Sequence, residues 1–308
     1  MKWTGVFPAV TTQFKQDGTL DLDATQVGIE RLIDGGVSGL VMMGMVGENS
    51  SLRSDEKLRV LRAALESSHG RVPVLSGVAE FTSVQGAEYA RECEHLKIDG
   101  LMLFPAIGYK CDADETVAHY RTVAQSSGLP ILIYNNQIGY GVDVTPEVLA
   151  RLADCPTLVA IKEESYDVRR VTDIHNLLGE RYAVVCGVDD LILESAVLGV
   201  VAWVSGMANV YPNVSVRLLE LAAHGQWKEA RALYRFLTPI FHLDTKTKLV
   251  QYIKLAGQLK GQGLEWVRAP RLPLFGDERE MVERIVASTN KDLSAFAAQD
   301  HLSTTATH

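Results

Sequence analysis

The feature that most limits the possible folds is an alternation of short apolar runs with amphipathic segments, repeated eight times before residue 225. The apolar runs predict buried strands, and the segments between them have helical periodicity. Strands that are apolar along their whole length are typical of a parallel sheet covered by helices. Eight such units predict an α/β fold, a (β/α)8 TIM barrel. The predicted strands are residues 5–12, 39–44, 72–78, 100–105, 130–136, 158–164, 182–188 and 201–206.

The helices between and after these strands are predicted at residues 21–33, 54–69, 83–96, 113–126, 146–153, 168–178, 190–198 and 214–223. The alternative fold, a doubly wound dinucleotide-binding sheet, requires a glycine-rich turn after its first strand, which residues 11–14 do not provide. After residue 225, helical patterns at 227–241, 246–259 and 279–296 follow without strands between them. We therefore predict a barrel over residues 1–224, a C-terminal helical extension packed on it over 225–298, and a disordered tail over 299–308.

The net charge of −8, without any basic run, argues against nucleic acid and anionic membranes as partners. No apolar run is long enough to span a bilayer, and the N-terminus lacks the apolar region of a signal peptide. The spacing of the cysteines suggests neither a zinc site nor a disulfide framework, and we expect a reduced, cytoplasmic protein. The eight histidines show no metal-ligand spacing, so no metal is expected. The cysteines are Cys93, Cys111, Cys155 and Cys186.

Lys162 is the only lysine inside any predicted strand, and it lies at the end of the apolar run of residues 158–164. Active-site residues of TIM barrels lie at these carboxyl ends of the strands. A buried lysine loses hydration, which predicts a pKa below its usual value of about 10.4. A desolvated lysine of this kind attacks carbonyl groups and forms Schiff bases. The alternative is a structural lysine whose amine reaches solvent from the strand end.

Two further candidates lie at the ends of other strands. Tyr134 ends the strand before that of Lys162, and its hydroxyl could relay protons, or its ring could simply pack on the barrel rim. The loop 44–47 contains two glycines, which allow backbone amides to approach an anion such as a substrate carboxylate. The alternative for that loop is an ordinary turn. The segment 242–244, with His242 and Asp244, is interpreted as a surface loop rather than a metal pair.

Taken together, these motifs resemble the dihydrodipicolinate synthase / N-acetylneuraminate lyase family of class I, Schiff-base-forming barrel enzymes. The resemblance extends over about residues 5–298 and rests on segments 5–12, 44–48, 134–135, 161–163, 187–190 and 204–206. It implies that Lys162 is the Schiff-base lysine and Tyr134 the proton relay, with no cofactor or metal and a homotetrameric assembly. The substrate-binding candidates are the backbone of Met45, Val46 and Gly47, with Val204 lining the pocket, and Gly187, Ser205 and Asn136 by position.

The sequence departs from the synthase pattern at five positions. Met45 and Val46 stand where the synthases have two threonines, and Ala106 and Ile107 where they have a tyrosine pair. Gly139 stands where an arginine binds the second carboxylate of the condensing partner. These differences together argue against a role in lysine biosynthesis. N-acetylneuraminate lyases are also a poor match, because they have a serine–threonine pair at positions 45 and 46.

Signatures at residues 47–52, at 242–244 together with 249–255, and at 268–274 look like a catabolic branch of the family. The specific hypothesis is a 1-pyrroline-4-hydroxy-2-carboxylate deaminase of hydroxyproline breakdown, with a small 2-oxo acid or cyclic imino acid as its ligand. The enzymatic alternatives are an aldolase or dehydratase of a 2-oxo-3-deoxy sugar acid, or a pyruvate condensation like that of dihydrodipicolinate synthase. The non-enzymatic alternative is a 2-oxo acid sensor built on the same barrel.

Overall fold

The computed structural model describes residues 3–305, with side chains as far as residue 296. Eight parallel strands follow one another around a barrel, and the first pairs with the eighth. A single bridge between Ala9 and Val41 lies where the first and second strands meet. The predicted TIM barrel is therefore confirmed. The strands are β1 Gly5–Pro8, β2 Leu40–Met42, β3 Val74–Val78, β4 Gly100–Leu103, β5 Ile131–Asn135, β6 Leu158–Glu163, β7 Ala183–Cys186 and β8 Ala202–Ser205.

Helices cover the outside of the barrel and continue beyond it. Several of them begin at a side chain that accepts an amide N–H of the first turn, as at Asp21, Thr82, Asp112 and Thr145. The helices are α1 Leu22–Asp34, α2 Ser54–Ser68, α3 Ser83–His95, α4 Ala113–Ala124, α5 Gln137–Tyr140, α6 Pro146–Ala150, α7 Arg169–Leu178, α8 Ile192–Val197, α9 Pro212–Ala223, α10 Trp227–Phe241, α11 Leu249–Leu259 and α12 Gly276–Thr305.

Two local predictions were wrong. The short helix α5 was not predicted; it forms because the side chain of Asn136 accepts the amide N–H of Gly139 at 2.7 Å. The helix expected from residue 246 begins at Leu249, after a series of turns. The tail predicted to be disordered covers residues 299–308, whose side chains lie outside the described ones. The backbone of α12 is helical to Thr305, so this helix extends into the predicted tail.

The C-terminal helices α10–α12 lie against one another and against the barrel. Helix α10 contacts α9 and α12, and α11 contacts α12. From α11, the ammonium of Lys254 reaches Glu48 at 3.0 Å and the carbonyl oxygen of Thr12 at 2.9 Å, with both charged side chains fully buried. This ion pair connects the C-terminal helices to the loop after β2.

Among residues 3–305, no helix is long and apolar enough to cross a membrane. Among residues 3–296, whose side chains the structure describes, no group of three or more histidine, cysteine, aspartate or glutamate side chains is arranged to hold a metal ion.

Candidate active site

Lys162 and Tyr134 occupy the same register position on the neighbouring strands β6 and β5. Both side chains are buried, and the Lys162 ammonium lies 4.1 Å from the centre of the Tyr134 ring. They share one pocket at the carboxyl ends of the strands, which holds about 390 Å³ of empty space including its opening to solvent. The structure thus brings together the two residues proposed for catalysis.

Glu164, which sequence reasoning missed, lies between these two residues. Its Oε2 atom is 2.6 Å from the Lys162 ammonium and accepts the Tyr134 hydroxyl at 2.8 Å. The Asn136 amide donates to the other oxygen, Oε1, at 2.9 Å and to the Tyr134 hydroxyl oxygen at 3.1 Å. One carboxylate oxygen therefore contacts both the candidate nucleophile and the candidate proton relay.

This carboxylate corrects the predicted protonation of Lys162. Burial does disfavour the ammonium form, as the sequence argument held. However, the charge of Glu164 and its hydrogen bond outweigh burial, and the pKa of Lys162 is raised above its usual value rather than lowered. The resting lysine is an ammonium ion. It must give a proton to a neighbouring group before it can attack a carbonyl carbon.

Tyr134 is held as a neutral phenol. Burial, and then the nearby charge of Glu164, raises the pKa of Tyr134 well above its usual value. Its ring packs edge-on against the rings of Phe104 and of Tyr140 from α5, with ring centres 4.8 Å and 5.6 Å away, respectively. The hydroxyl is therefore fixed in direction and can pass on a proton only as it takes one up.

The loop after β2 forms another wall of the pocket, where Met45 and Val46 both line it. The loop is flanked by two non-glycine residues in the left-handed region, Met43 with φ of 56° and Glu48 with φ of 55°. Asn49 stabilises this conformation by donating its side-chain amide to the Met43 carbonyl oxygen at 2.8 Å. Such strained backbone is concentrated at functional sites.

The opposite wall contains Gly187, Val204 and Gly206. A Cβ atom on Gly187 would lie 2.8 Å from Cε of Lys162, so only glycine leaves the lysine its present position. Asp244, from the segment after α10, also lines the pocket and packs over Gly206. Burial, followed by the neighbouring carboxylates of Asp189 and Glu164, raises the pKa of Asp244 well above its usual value.

The interpretation of residues 242–244 as a surface loop is half correct. His242 is exposed and its Nδ1 lies 2.6 Å from a carboxylate oxygen of Asp190, whereas Asp244 lines the pocket. The position of Asp244 depends on how the C-terminal helices pack on the barrel, and no local feature of the sequence indicates that packing.

Other predicted site residues lie around the pocket rather than on its surface. The Ser205 hydroxyl is buried and accepts the amide N–H of Ala208 at 2.9 Å. The carbonyl oxygen of Gly47 accepts the Thr12 hydroxyl at 2.7 Å, so it fixes the loop that carries Met45.

Comparison with known proteins now adds to this geometry. The model of the dihydrodipicolinate synthetase family matches residues 2–289. The chain belongs to this family. A 4-hydroxy-tetrahydrodipicolinate synthase of Methanothrix thermoacetophila is 32% identical over 292 residues, which are 94% of this chain and 98% of that protein.

Solved structures of the family agree. The 4-hydroxy-tetrahydrodipicolinate synthase of Methylacidiphilum fumariolicum SolV superposes with a TM-score of 0.91 at 26% identity, covering 96% of this chain and 99% of that chain. A prophage family member from E. coli, solved in complex with pyruvate, has a TM-score of 0.88 at 28% identity and covers 93% and 98%. The chain is therefore an enzyme, a Schiff-base-forming lyase of this family.

Proposed function

We propose that Lys162 forms a Schiff base with C2 of a small 2-oxo acid or its cyclic imine, and that the reaction is the deamination of 1-pyrroline-4-hydroxy-2-carboxylate. The observation that carries this proposal is the charge of the pocket. Among its lining residues in the described part of the chain, Lys162 is the only cation, while Glu164 and Asp244 supply carboxyl groups. A substrate that brings a nitrogen and a single carboxylate suits such a site.

The same charges disfavour the condensation that gives the family its name. A condensing partner with a carboxylate of its own would approach the Glu164 carboxylate, and like charges at short range repel one another. Asp244 adds little to this repulsion, because its raised pKa favours the neutral carboxyl. Gly139 stands at the position where the synthases have an arginine, and glycine has no side-chain charge.

In the proposed reaction, Lys162 adds to the imine carbon C2, and the bond from C2 to the ring nitrogen breaks as that nitrogen takes up a proton. Loss of a C3 proton and of the C4 hydroxyl as water gives an alkene, which isomerises to an imine at C5. Hydrolysis at C5 releases ammonia, and hydrolysis of the lysine imine releases 2,5-dioxopentanoate. One water is consumed overall, and one ammonia is formed.

Condensation of pyruvate is the second candidate, favoured by the names of the relatives and by the pyruvate bound in the E. coli family member. Both candidates need an imine on Lys162, so substrate choice separates them. The non-catalytic alternative, a 2-oxo acid sensor, is not supported, because the chain belongs to an enzyme family and Lys162, Tyr134 and Glu164 line one pocket.

The test is reductive trapping with borohydride, using pyruvate and 1-pyrroline-4-hydroxy-2-carboxylate separately, followed by intact mass and peptide mapping. We expect an adduct on Lys162 with the pyrroline acid, together with turnover to the dioxo acid and ammonia. Lys162→Ala should lose both. An adduct with pyruvate alone would replace the deaminase with an aldolase or condensing enzyme, and no adduct with either would refute the Schiff-base assignment.

We further propose a homotetramer in the cytoplasm. Three largely exposed apolar side chains lie on the segments that follow β3, β4 and β5, which supports burial against another subunit; they are Phe81, Tyr109 and Ile138. A monomeric dihydrodipicolinate synthase variant among the structural neighbours shows that assembly differs within the family. Light scattering on the purified protein measures the assembly directly, and a mass of one chain would refute it.

A further inference from the structure

Glu164 occupies a position that a purely structural carboxylate would not need. It is buried two residues after Lys162, lines the pocket, and forms contacts with Lys162, Tyr134 and Asn136. Its Oε2 atom is shared by the lysine ammonium and the tyrosine hydroxyl, while Asn136 holds Oε1. The carboxylate thus joins a proton source and a proton relay through a single atom.

We propose that Glu164 is the general base that removes the protons of Lys162 and delivers them, through Tyr134, to the substrate atom that leaves. This inference rests on the proposed Schiff-base function. It assigns to Glu164 the proton transfer for which Met45 and Val46 have no hydroxyl groups.

The protons balance for a carbonyl substrate. The ammonium of Lys162 gives a proton to Glu164, and the free amine attacks C2. Tyr134 protonates the new alkoxide and takes the proton held by Glu164. The added nitrogen then gives a second proton to Glu164, which passes through Tyr134 to the hydroxyl. The C–O bond breaks, water leaves, and a protonated imine remains, with Glu164 again a carboxylate.

For a cyclic imine the same two transfers deliver one proton to the ring nitrogen as Lys162 adds and the second as the C2–N bond breaks. The leaving atom is then the amine nitrogen instead of an oxygen. The geometry needed is the same in both cases, because the acceptor atom of Glu164 is already within hydrogen-bond distance of Lys162 and Tyr134.

Glu164→Gln keeps the size of the side chain and its contact with Asn136 but cannot carry a proton. The expected result is an imine-formation rate about 10²–10⁴-fold lower, the usual contribution of a positioned acid–base group. The rate is measured by borohydride quenching at short times, with whichever acid the wild-type protein traps. The final amount of adduct should stay near that of the wild type, because Lys162 is intact.

The pH profile separates this chemistry from a structural role. Without the carboxylate, burial dominates, and the pKa of Lys162 falls below its wild-type value. The imine-formation rate of Glu164→Gln should therefore rise with pH as Lys162 loses its proton. Its plateau should begin at a pH below the pKa that Lys162 has in the wild-type protein. The other titratable groups near Lys162, all of which this variant retains, are Tyr134, Tyr140, Tyr166, Asp189 and Asp244.

Two further variants make the result decisive. Glu163→Gln removes the adjacent buried carboxylate, which binds Asn135 and Ser165 outside the pocket, and should trap at the wild-type rate. Glu164→Asp retains a carboxylate but withdraws it by about one carbon–carbon bond, ~1.5 Å. It should be slow with a wild-type-like pH profile, and it tests the proposal should Glu164→Gln fail to fold.

A wild-type rate and an unchanged pH profile in Glu164→Gln would overturn the role of Glu164 while leaving the Schiff base in place. A fast Glu164→Asp variant with an altered profile would overturn it as well. If the wild-type protein traps neither acid, the proposed function fails first, and the role of Glu164 fails with it.

Discussion

Replacing Lys254 with methionine should destabilise the protein, because the buried carboxylate of Glu48 loses its nearer cation and keeps only the Arg271 guanidinium at 3.8 Å. The side chains of Lys254 and Glu48 have no exposed surface, and their charged atoms are 3.0 Å apart. With an effective dielectric constant of about 20, two unit charges at that distance attract by about 5.5 kcal/mol. Burial opposes this attraction and lowers the pKa of Lys254. Removing one partner of a buried pair costs about 3–5 kcal/mol.

The free energy of unfolding, measured by urea titration, should therefore fall by about 3–5 kcal/mol in Lys254→Met, a large part of the ~5–15 kcal/mol typical of a folded protein. The double variant Lys254→Met with Glu48→Gln should recover much of this loss, since no carboxylate remains buried at position 48. Arg284→Met, which removes an exposed pair with Glu280 at 3.5 Å, is the control and should cost less than about 0.5 kcal/mol.

The same variant should weaken substrate binding. Glu48 ends the strained loop that carries Met45 and Val46, and its second oxygen accepts the amide N–H of Arg268 at 3.0 Å. Loosening the loop should raise KM more than it lowers kcat. A loss of less than about 1 kcal/mol in Lys254→Met, or a double variant as unstable as the sum of the two single ones, would refute the reasoning.

Two other predictions concern single positions. In Gly187→Ala the new Cβ would lie 2.8 Å from Cε of Lys162, so the rate of imine formation measured by borohydride trapping should fall at least about ten-fold. The control is Gly257→Ala, whose new Cβ meets no atom within 4 Å. Equal rates in the two variants would contradict the steric argument. Burial raises the pKa of Asp189 from its usual 3.8 to about 7, so the folded state retains a proton that the unfolded chain loses. The contribution of this proton to stability is complete below pH 3.8 and is lost as the pH rises to about 7. Asp189→Asn should therefore reduce the change in the free energy of unfolding between pH 4 and 8, measured by urea titration. The same pH dependence in the variant and the wild type would contradict this prediction.

The barrel could be predicted because its pattern is local and repeated. Each strand is an apolar run with its own turn and helix, and eight of them leave few arrangements. The adjacency of Tyr134 and Lys162 followed from the same rule, since consecutive strands of such a barrel are neighbours. Sequence reasoning could name these two residues without knowing any long-range contact.

The charges around Lys162 could not be predicted in this way. Glu164 lies two residues after Lys162, on the same face of the predicted strand 158–164, so side-chain alternation was a signal for it. The sequence does not show that its carboxylate contacts the Lys162 ammonium. Asp244 is 82 residues after Lys162 in the chain and reaches the pocket only through the packing of α10. The direction of the Lys162 pKa depends on these contacts, and a burial argument without them gave the wrong sign.

These charges restrict what the pocket can hold. A substrate carboxylate must bind near the Glu164 carboxylate with Lys162 as the single cation among the described lining residues, so a second carboxylate has no further cation to pair with. Backbone amides of the loop at Met45 and Val46 can bind one carboxylate without adding a charge. A cyclic imine adds a nitrogen that becomes cationic as its bond to C2 breaks. The Glu164 carboxylate, which hinders a dianionic substrate, would then stabilise the developing positive charge.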